Sequence, residues 1–221
     1  MFSGFNDSTI KYFVLIECQN DKYTFKNNHT LYEEGIKQPC EHLFDELASF
    51  LTCLDNNLIL NKRICISSPY NDARFCAGTP MKQYFYIKFK THNSRSENIP
   101  GFFFDASRKC YKYGMNIYNM NALGMEKIRQ AILDNKKTAI HLLEQFEHSN
   151  TFQLVGKSYV QDHFPNENNT IKKWLNMKTI SFHHKEDINP VFFQRALLDN
   201  IINAYSEIKD LYSFVKKALD K

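Results

Sequence analysis

Residues 71–90 read NDARFCAGTPMKQYFYIKFK, and this stretch decides the fold. From Gln83 onward Phe85, Ile87 and Phe89 alternate with Tyr84, Tyr86, Lys88 and Lys90. A period of two is what a strand shows when one face packs on a core and the other meets solvent. Just before it, Gly78-Thr79-Pro80 joins the φ freedom of glycine to the fixed φ of proline, so the chain bends there. Asp72 and Arg74 therefore belong to a loop beside a sheet.

Working outward, strands are expected at about 62–67, 82–90, 101–105 and 109–118. The last two are joined by the short Ala106-Ser107-Arg108 connection as a hairpin. Consecutive strands of this kind favour antiparallel pairing. Ahead of them, Asp7 or Ser8 caps a helix to about Cys18. A longer helical region, 31–54, carries a stripe of Cys40, Leu43, Leu47, Phe50 and Leu54, with Pro39 at its start or at a kink. Beyond the strands the pattern predicts helices at 121–135 and 138–148, a strand near 152–159, a helix at 169–176 and a strand at 178–183. The chain closes on a long helix announced by Asn189-Pro190, with Phe193, Leu197, Ile201, Ala204, Ile208, Leu211, Val215 and Leu219 every three or four residues. The fold class is α+β: an antiparallel sheet packed against several amphipathic helices, with a long C-terminal helix. The Ser/Asn-rich stretch 92–100 lies between two strands and reads as a loop within one sheet, so residues 1–221 are expected to form a single domain.

The quoted stretch resembles a bacterial family known only as a domain of unknown function, number two-four-six-one. Its signature runs approximately R-D-x-R-F-S-K-D-K-(S/T)-P-Y-K. Asp72, Arg74, Phe75, Thr79, Pro80 and Lys82 match it, and other segments follow in the family's order: FSGF at 2–5, PGFFF at 100–104, YGMNIY at 113–118, KIRQAI at 127–132 and WLNMK at 174–178. The departures are Asn71 where the family has Arg, Cys76-Ala77-Gly78 in place of a longer lysine-bearing run, and Met81 in place of Tyr. If the loop holds an anion in relatives, this chain has lost much of the charge that would bind it. The resemblance implies an architecture and no established activity.

Composition narrows the classes. Aromatics reach 14%, with 19 Phe and 12 Tyr against one Trp, which favours strands and large buried areas. A formal charge of +4 from 28 basic and 24 acidic residues, with lysines scattered, disfavours nucleic acid as a partner. The six cysteines include no C-x-x-C pair, so neither a zinc knuckle nor a disulfide framework is indicated and most are read as buried thiols. No apolar run approaches the length of a bilayer span, and the chain is expected to be soluble and cytoplasmic.

Candidate chemistry centres on Asp72, Arg74 and Lys82 around the Gly-Thr-Pro turn, where a guanidinium can clamp a carboxylate or phosphate. Lys178 and Tyr113 would complete such a site if the regions meet. The plainer reading is an internal ion pair, Arg74 with Asp72 or Asp105, that fixes the loop. Tyr84, Tyr86, Lys88 and Lys90, with Lys109, Tyr111 and Lys112, form either a stacking platform or a solvated sheet face. Cys76 is a thiol beside cations, and reads more simply as a half-buried small residue. His183-His184 with Glu186, and Cys40 with His42, lack convergent spacing for a metal, and His163 lacks an identifiable partner. There is no G-x-S-x-G elbow and no G-x-x-x-x-G-K-(S/T) phosphate loop. No catalytic residue, metal or cofactor is assigned. The primary reading is a non-catalytic binding or interaction domain. The competing one is an enzyme or small-ligand binder that handles an anionic substrate through Arg74, Lys82, Lys178 and Tyr113.

Overall fold

The structure, a computed structural model, describes residues 1–76, 78–91 and 96–220. In chain order its elements are α1 (Asp7–Cys18), α2 (Lys22–Asn27), α3 (His29–Tyr32), a π-helical turn Glu33–Lys37, α4 (Gln38–Leu54) and α5 (Lys62–Cys65). There follow β1 (Tyr84–Lys90), β2 (Ile99–Ser107), β3 (Cys110–Tyr118), α6 (Ala122–Asp134), α7 (Lys136–Ser149), β4 (Gln153–Val155), α8 (Asn169–Leu175), β5 (Ser181–Asp187), a 3-10 turn Pro190–Phe193 and α9 (Ala196–Leu219). The strands form one antiparallel sheet in the order β1-β2-β3-β5-β4. The α+β class with its long C-terminal helix is as expected.

Residue contacts gather the chain into two compact units: Met1–Phe89 with Phe103–Tyr113 and Lys185–Ile202, and Lys90–Phe102 with Gly114–His184 and Asn203–Lys221. In the first, the predicted core face of β1 is buried, Phe85, Ile87 and Phe89 being at most 3% exposed. Phe5 stacks on Phe192 at 4.6 Å and lies 5.1 Å from Phe85 and 5.7 Å from Phe104. Offset aromatic pairs at such distances add to area burial. The FSGF segment reaches this cluster because Gly4 has φ +117°, and a Cβ there would fall 2.2 Å from the Phe193 backbone carbon. The amide of Phe5 then donates to Phe192 O at 3.1 Å.

Pro39 sits in the first turn of α4 and has no amide hydrogen, so the carbonyl of Gly35, four residues earlier, gains no helical donor from it. The Thr9 hydroxyl donates to Gly35 O instead, at 2.6 Å in a buried position. The π-helical turn lies immediately ahead of α4, with Gln38 N donating five residues back to Glu33 O.

In the second unit, Trp174 of α8 stacks on Phe182 of β5 at 5.3 Å and meets Phe146 of α7 edge-on at 5.6 Å. Phe102 packs between Tyr205 and Tyr212 of α9, each at 4.7 Å. Gly114 of β3 lies so close to β5 that a Cβ would stand 1.9 Å from Phe182 O. That accounts for the glycine in YGMNIY.

Several boundaries differ from the sequence reading. Residues 62–65 are the helix α5, because the Asn61 side chain accepts the Arg63 amide at 3.0 Å and caps a turn. Strand character there is confined to an Ile66–Ile87 bridge. Asn189-Pro190 starts a 3-10 turn, with Asn189 Oδ1 accepting from Val191 N at 2.9 Å, and the long helix begins at Ala196. The strand expected at 152–159 is only β4, and β5 runs further than expected, to Asp187. On α4 the buried stripe is Leu43, Phe44, Leu47 and Leu51 rather than Phe50 and Leu54. Two cysteines, Cys40 and Cys65, are buried; Cys18 and Cys53 are exposed, Cys76 and Cys110 between. Of the loop read at 92–100, residues 92–95 lie outside the described residues, and Ile99 and Pro100 belong to β2. Among the described residues no helix is long and apolar enough to cross a membrane.

Candidate functional site

The signature loop belongs to the first unit and is closed at its base by backbone pairing. Asn71 N donates to Pro80 O and Lys82 N to Pro69 O, each at 2.8 Å. Amide side chains brace it further. Asn71 Nδ2 donates to Thr79 O at 2.8 Å and Met81 O at 3.0 Å, while Asn20 exchanges two bonds with the Met81 backbone at 2.8 and 2.9 Å. Asn71 thus fastens the loop as a neutral group.

At the tip, Asp72 turns the chain by accepting the amides of Phe75 and Cys76 on its carbonyl, at 3.0 and 3.1 Å. Its carboxylate takes the Arg74 amide at 3.0 Å, Arg74 Nε at 3.0 Å and a terminal guanidinium nitrogen at 2.6 Å. These bonds hold the Asp72 carboxyl below the usual range and push Arg74 up. Arg74 is 80% exposed along its side chain and its guanidinium lies 5.5 Å from the centre of the Phe75 ring. Phe75 is itself 80% exposed. Ala77 lies outside the described residues. Beside the loop is a cavity of about 600 Å³ lined by Lys22, Tyr70, Asn71, Cys76 and Pro80 among others.

Of the other residues predicted for this site, Lys82 donates to Ser68 O at 2.7 Å and lies 5.8 Å from the centre of the Tyr86 ring; burial pulls its pKa down. Tyr113 is 3% exposed, its ring stacked 6.4 Å from that of Tyr111. Lys178 belongs to the second unit, with its ammonium 4.9 Å from the centre of the Tyr159 ring. Asp72 and Arg74 are the pair that the loop brings into contact.

The outer face of the sheet in the first unit carries a further group. Lys88 lies 3.8 Å from the Tyr86 ring centre. Lys112 pairs with Asp105 at 3.5 Å. Burial pushes the Asp105 carboxyl up, against the attraction of Lys112 and Lys88. Tyr111, read as part of this platform, is on the other face, 1% exposed and donating to Glu186 at 2.8 Å.

Two arrangements in the second unit went unread. Ser181 Oγ and His183 Nε2 are 2.5 Å apart beside a cavity of about 340 Å³; their i, i+2 spacing on one strand was the available signal. Ser181 also donates to Met115 O at 3.3 Å, so its proton is not dedicated to the imidazole. His184 points elsewhere, its Nδ1 lying 2.8 Å from Thr151 O. Arg129, 5% exposed, donates to Leu175 O at 2.8 Å and Met177 O at 2.6 Å. Its third partner, Glu126 at 3.0 Å, lies at helical i, i+3 spacing, but the two backbone acceptors are announced by no side-chain pattern. Among the described residues no group of three or more His, Cys, Asp or Glu is placed to hold a metal.

A search of curated proteins found no match. A family model does match, over residues 8–214, and that span takes in the signature loop, the hairpin strands, the KIRQAI and WLNMK segments and most of α9. The chain belongs to the family described as Conserved hypothetical protein (DUF2461).

Proposed function

We propose that the protein is a cytoplasmic, non-catalytic binding domain that takes a protein partner on the tip of its signature loop. The observation that carries this is Phe75, a large aromatic 80% exposed on a loop whose base is fastened by Asn20 and Asn71. Exposed aromatic and arginine side chains on a rigid support are what interface anchors are made of. A braced loop loses little freedom on binding, so more of the contact energy becomes affinity. Arg74 already has a carboxylate on its fork, which favours this reading over a clamp for small anions.

A photo-crosslinking residue placed at Phe75, compared with the same residue at the fully exposed Val160, tests it in cells. The expected result is a discrete adduct from position 75 that position 160 does not give and that Arg74→Ala weakens. Indistinguishable adducts from the two positions would refute the reading. A panel of anionic metabolites that raised the melting temperature only while Arg74 was intact would put the anion-binding alternative in its place.

A further inference from the structure

We infer that the outer sheet face of the first unit, where β1, β2 and β3 present Tyr84, Tyr86, Lys88, Asp105 and Lys112, binds a small oxyanion attached to a flat ring, of the aryl phosphate type. This site is separate from the loop tip and goes beyond the reading above.

The placement follows from strand alternation. Tyr84, Tyr86 and Lys88 occupy the alternate positions of β1 that its buried residues leave, while Asp105 of β2 and Lys112 of β3 are likewise half-buried among buried neighbours. Lys112 reaches Asp105 at 3.5 Å, and Lys88 is close enough to act on the same carboxylate. Lys88 and Lys82 both face the Tyr86 ring, at 3.8 and 5.8 Å. Tyr84 lies parallel to Tyr86 at 6.3 Å with 47% of its surface exposed. Two ammonium groups thus face an aromatic pair that offers an open ring, and one of them, Lys88, links it to the Asp105–Lys112 pair.

The competing account is a cross-strand charge row that steadies the sheet. Against it stands the balance of charge among these residues: Lys112 and Lys88 act on the one Asp105 carboxylate and Lys82 donates to the Ser68 carbonyl, so their positive charge exceeds their negative. Lys82, whose charge burial disfavours, gains from an incoming anion, while Asp105 competes with that anion for the lysines. The ring follows from Tyr84 and Tyr86, since stacking on an exposed aromatic discriminates a planar group from a puckered one of equal size.

The test is titration calorimetry at fixed ionic strength with inorganic phosphate, cyclohexyl phosphate and phenyl phosphate, using the whole chain. Phenyl phosphate is expected to bind about tenfold more tightly than cyclohexyl phosphate, in line with a single stacking contact. Tyr84→Ala, a truncation at a half-exposed position, should erase that ratio while leaving phosphate binding. Lys112→Ala should weaken all three probes, and Asp105→Asn should tighten all three several-fold by removing the carboxylate that competes for the lysines. Melting curves of each variant separate lost binding from lost folding. No binding by the wild type and none by Asp105→Asn would overturn the site, as would a phenyl preference that survives Tyr84→Ala. Neither result would bear on the loop tip, whose test uses a different surface.

Discussion

Replacing Arg129 with Met should be among the most costly single changes in the second unit. The guanidinium is 5% exposed and gives Nε to Leu175 O at 2.8 Å and a terminal nitrogen to Met177 O at 2.6 Å, with Glu126 as its exposed counter-ion at 3.0 Å. Leu175 ends α8, whose last carbonyls have no helical donors. Methionine keeps the apolar stem and supplies no hydrogen, so two largely buried carbonyls lose charged donors worth about 1.5–3 kcal/mol each. Allowing for partial rescue by water at the helix end, the expected loss is about 4 kcal/mol. At this chain length that corresponds to a fall in Tm of roughly 10 °C. Arg129→Lys, with a compact ammonium that reaches one carbonyl, should lose about half as much. Urea denaturation of the three proteins measures it. A Met variant within about 1 kcal/mol of wild type would show that the two bonds do not fasten α8, and the reasoning would fail.

Gly114→Ala should cost about 3 kcal/mol, because the added Cβ meets a backbone oxygen, Phe182 O at 1.9 Å, that cannot rotate away; hydrogen exchange should show β3 and β5 opening first. Glu46 accepts from Phe2 N at 2.6 Å and from Arg195 at 2.8 Å, and these bonds lower its carboxyl pKa. A depressed carboxyl stabilises above its unfolded pKa and loses that contribution as the pH falls through the folded one, so Glu46→Gln should flatten the stability profile below about pH 4.5. Phe75→Ser should leave stability within about 0.5 kcal/mol, since the ring is 80% exposed; a larger loss in urea would show that the ring packs on the loop.

What was legible in the sequence depended on periodicity. The alternation of β1 and the three-to-four spacing of α9 are signals of single elements, and both place the buried side correctly: Phe85, Ile87 and Phe89 on one, Leu197, Ile201, Ile208 and Val215 on the other. Residues 62–65 misled because Ile64, Cys65 and Ile66 have strand propensity, while the deciding contact is a cap from Asn61. Asn189-Pro190 is a sound helix-start signal, and it started a 3-10 turn because the amides it caps, beginning with Val191 N, belong to a segment that turns towards the N-terminal Phe5. In the candidate site, the local pair of Asp72 and Arg74 could be read because the two lie only two positions apart. The buried bonds of Arg129 could not, their carbonyl acceptors lying 46 and 48 residues away on the main chain.

Three of the chain's segments, FSGF ahead of the family match and two within it, share a physical character. Gly4 and Gly114 stand where a backbone passes too close for a Cβ, and Arg129 of KIRQAI holds the carbonyls of WLNMK. Each of these residues fixes how main chains meet, and none needs a ligand to explain it. The signature loop differs. There the Asn71 amide spans Thr79 O and Met81 O, and Arg74 is taken up by Asp72. The base of the loop is held by neutral bonds, while its tip presents an exposed phenyl ring. Single exposed apolar side chains are ordinary on a surface, so Phe75 counts here through the ordered base beneath it. An ordered base under an exposed aromatic is the arrangement that lowers the entropic cost of a contact made with another molecule. On this ground the loop tip, rather than the Ser181–His183 pair or the buried Tyr113, is where recognition is to be sought first.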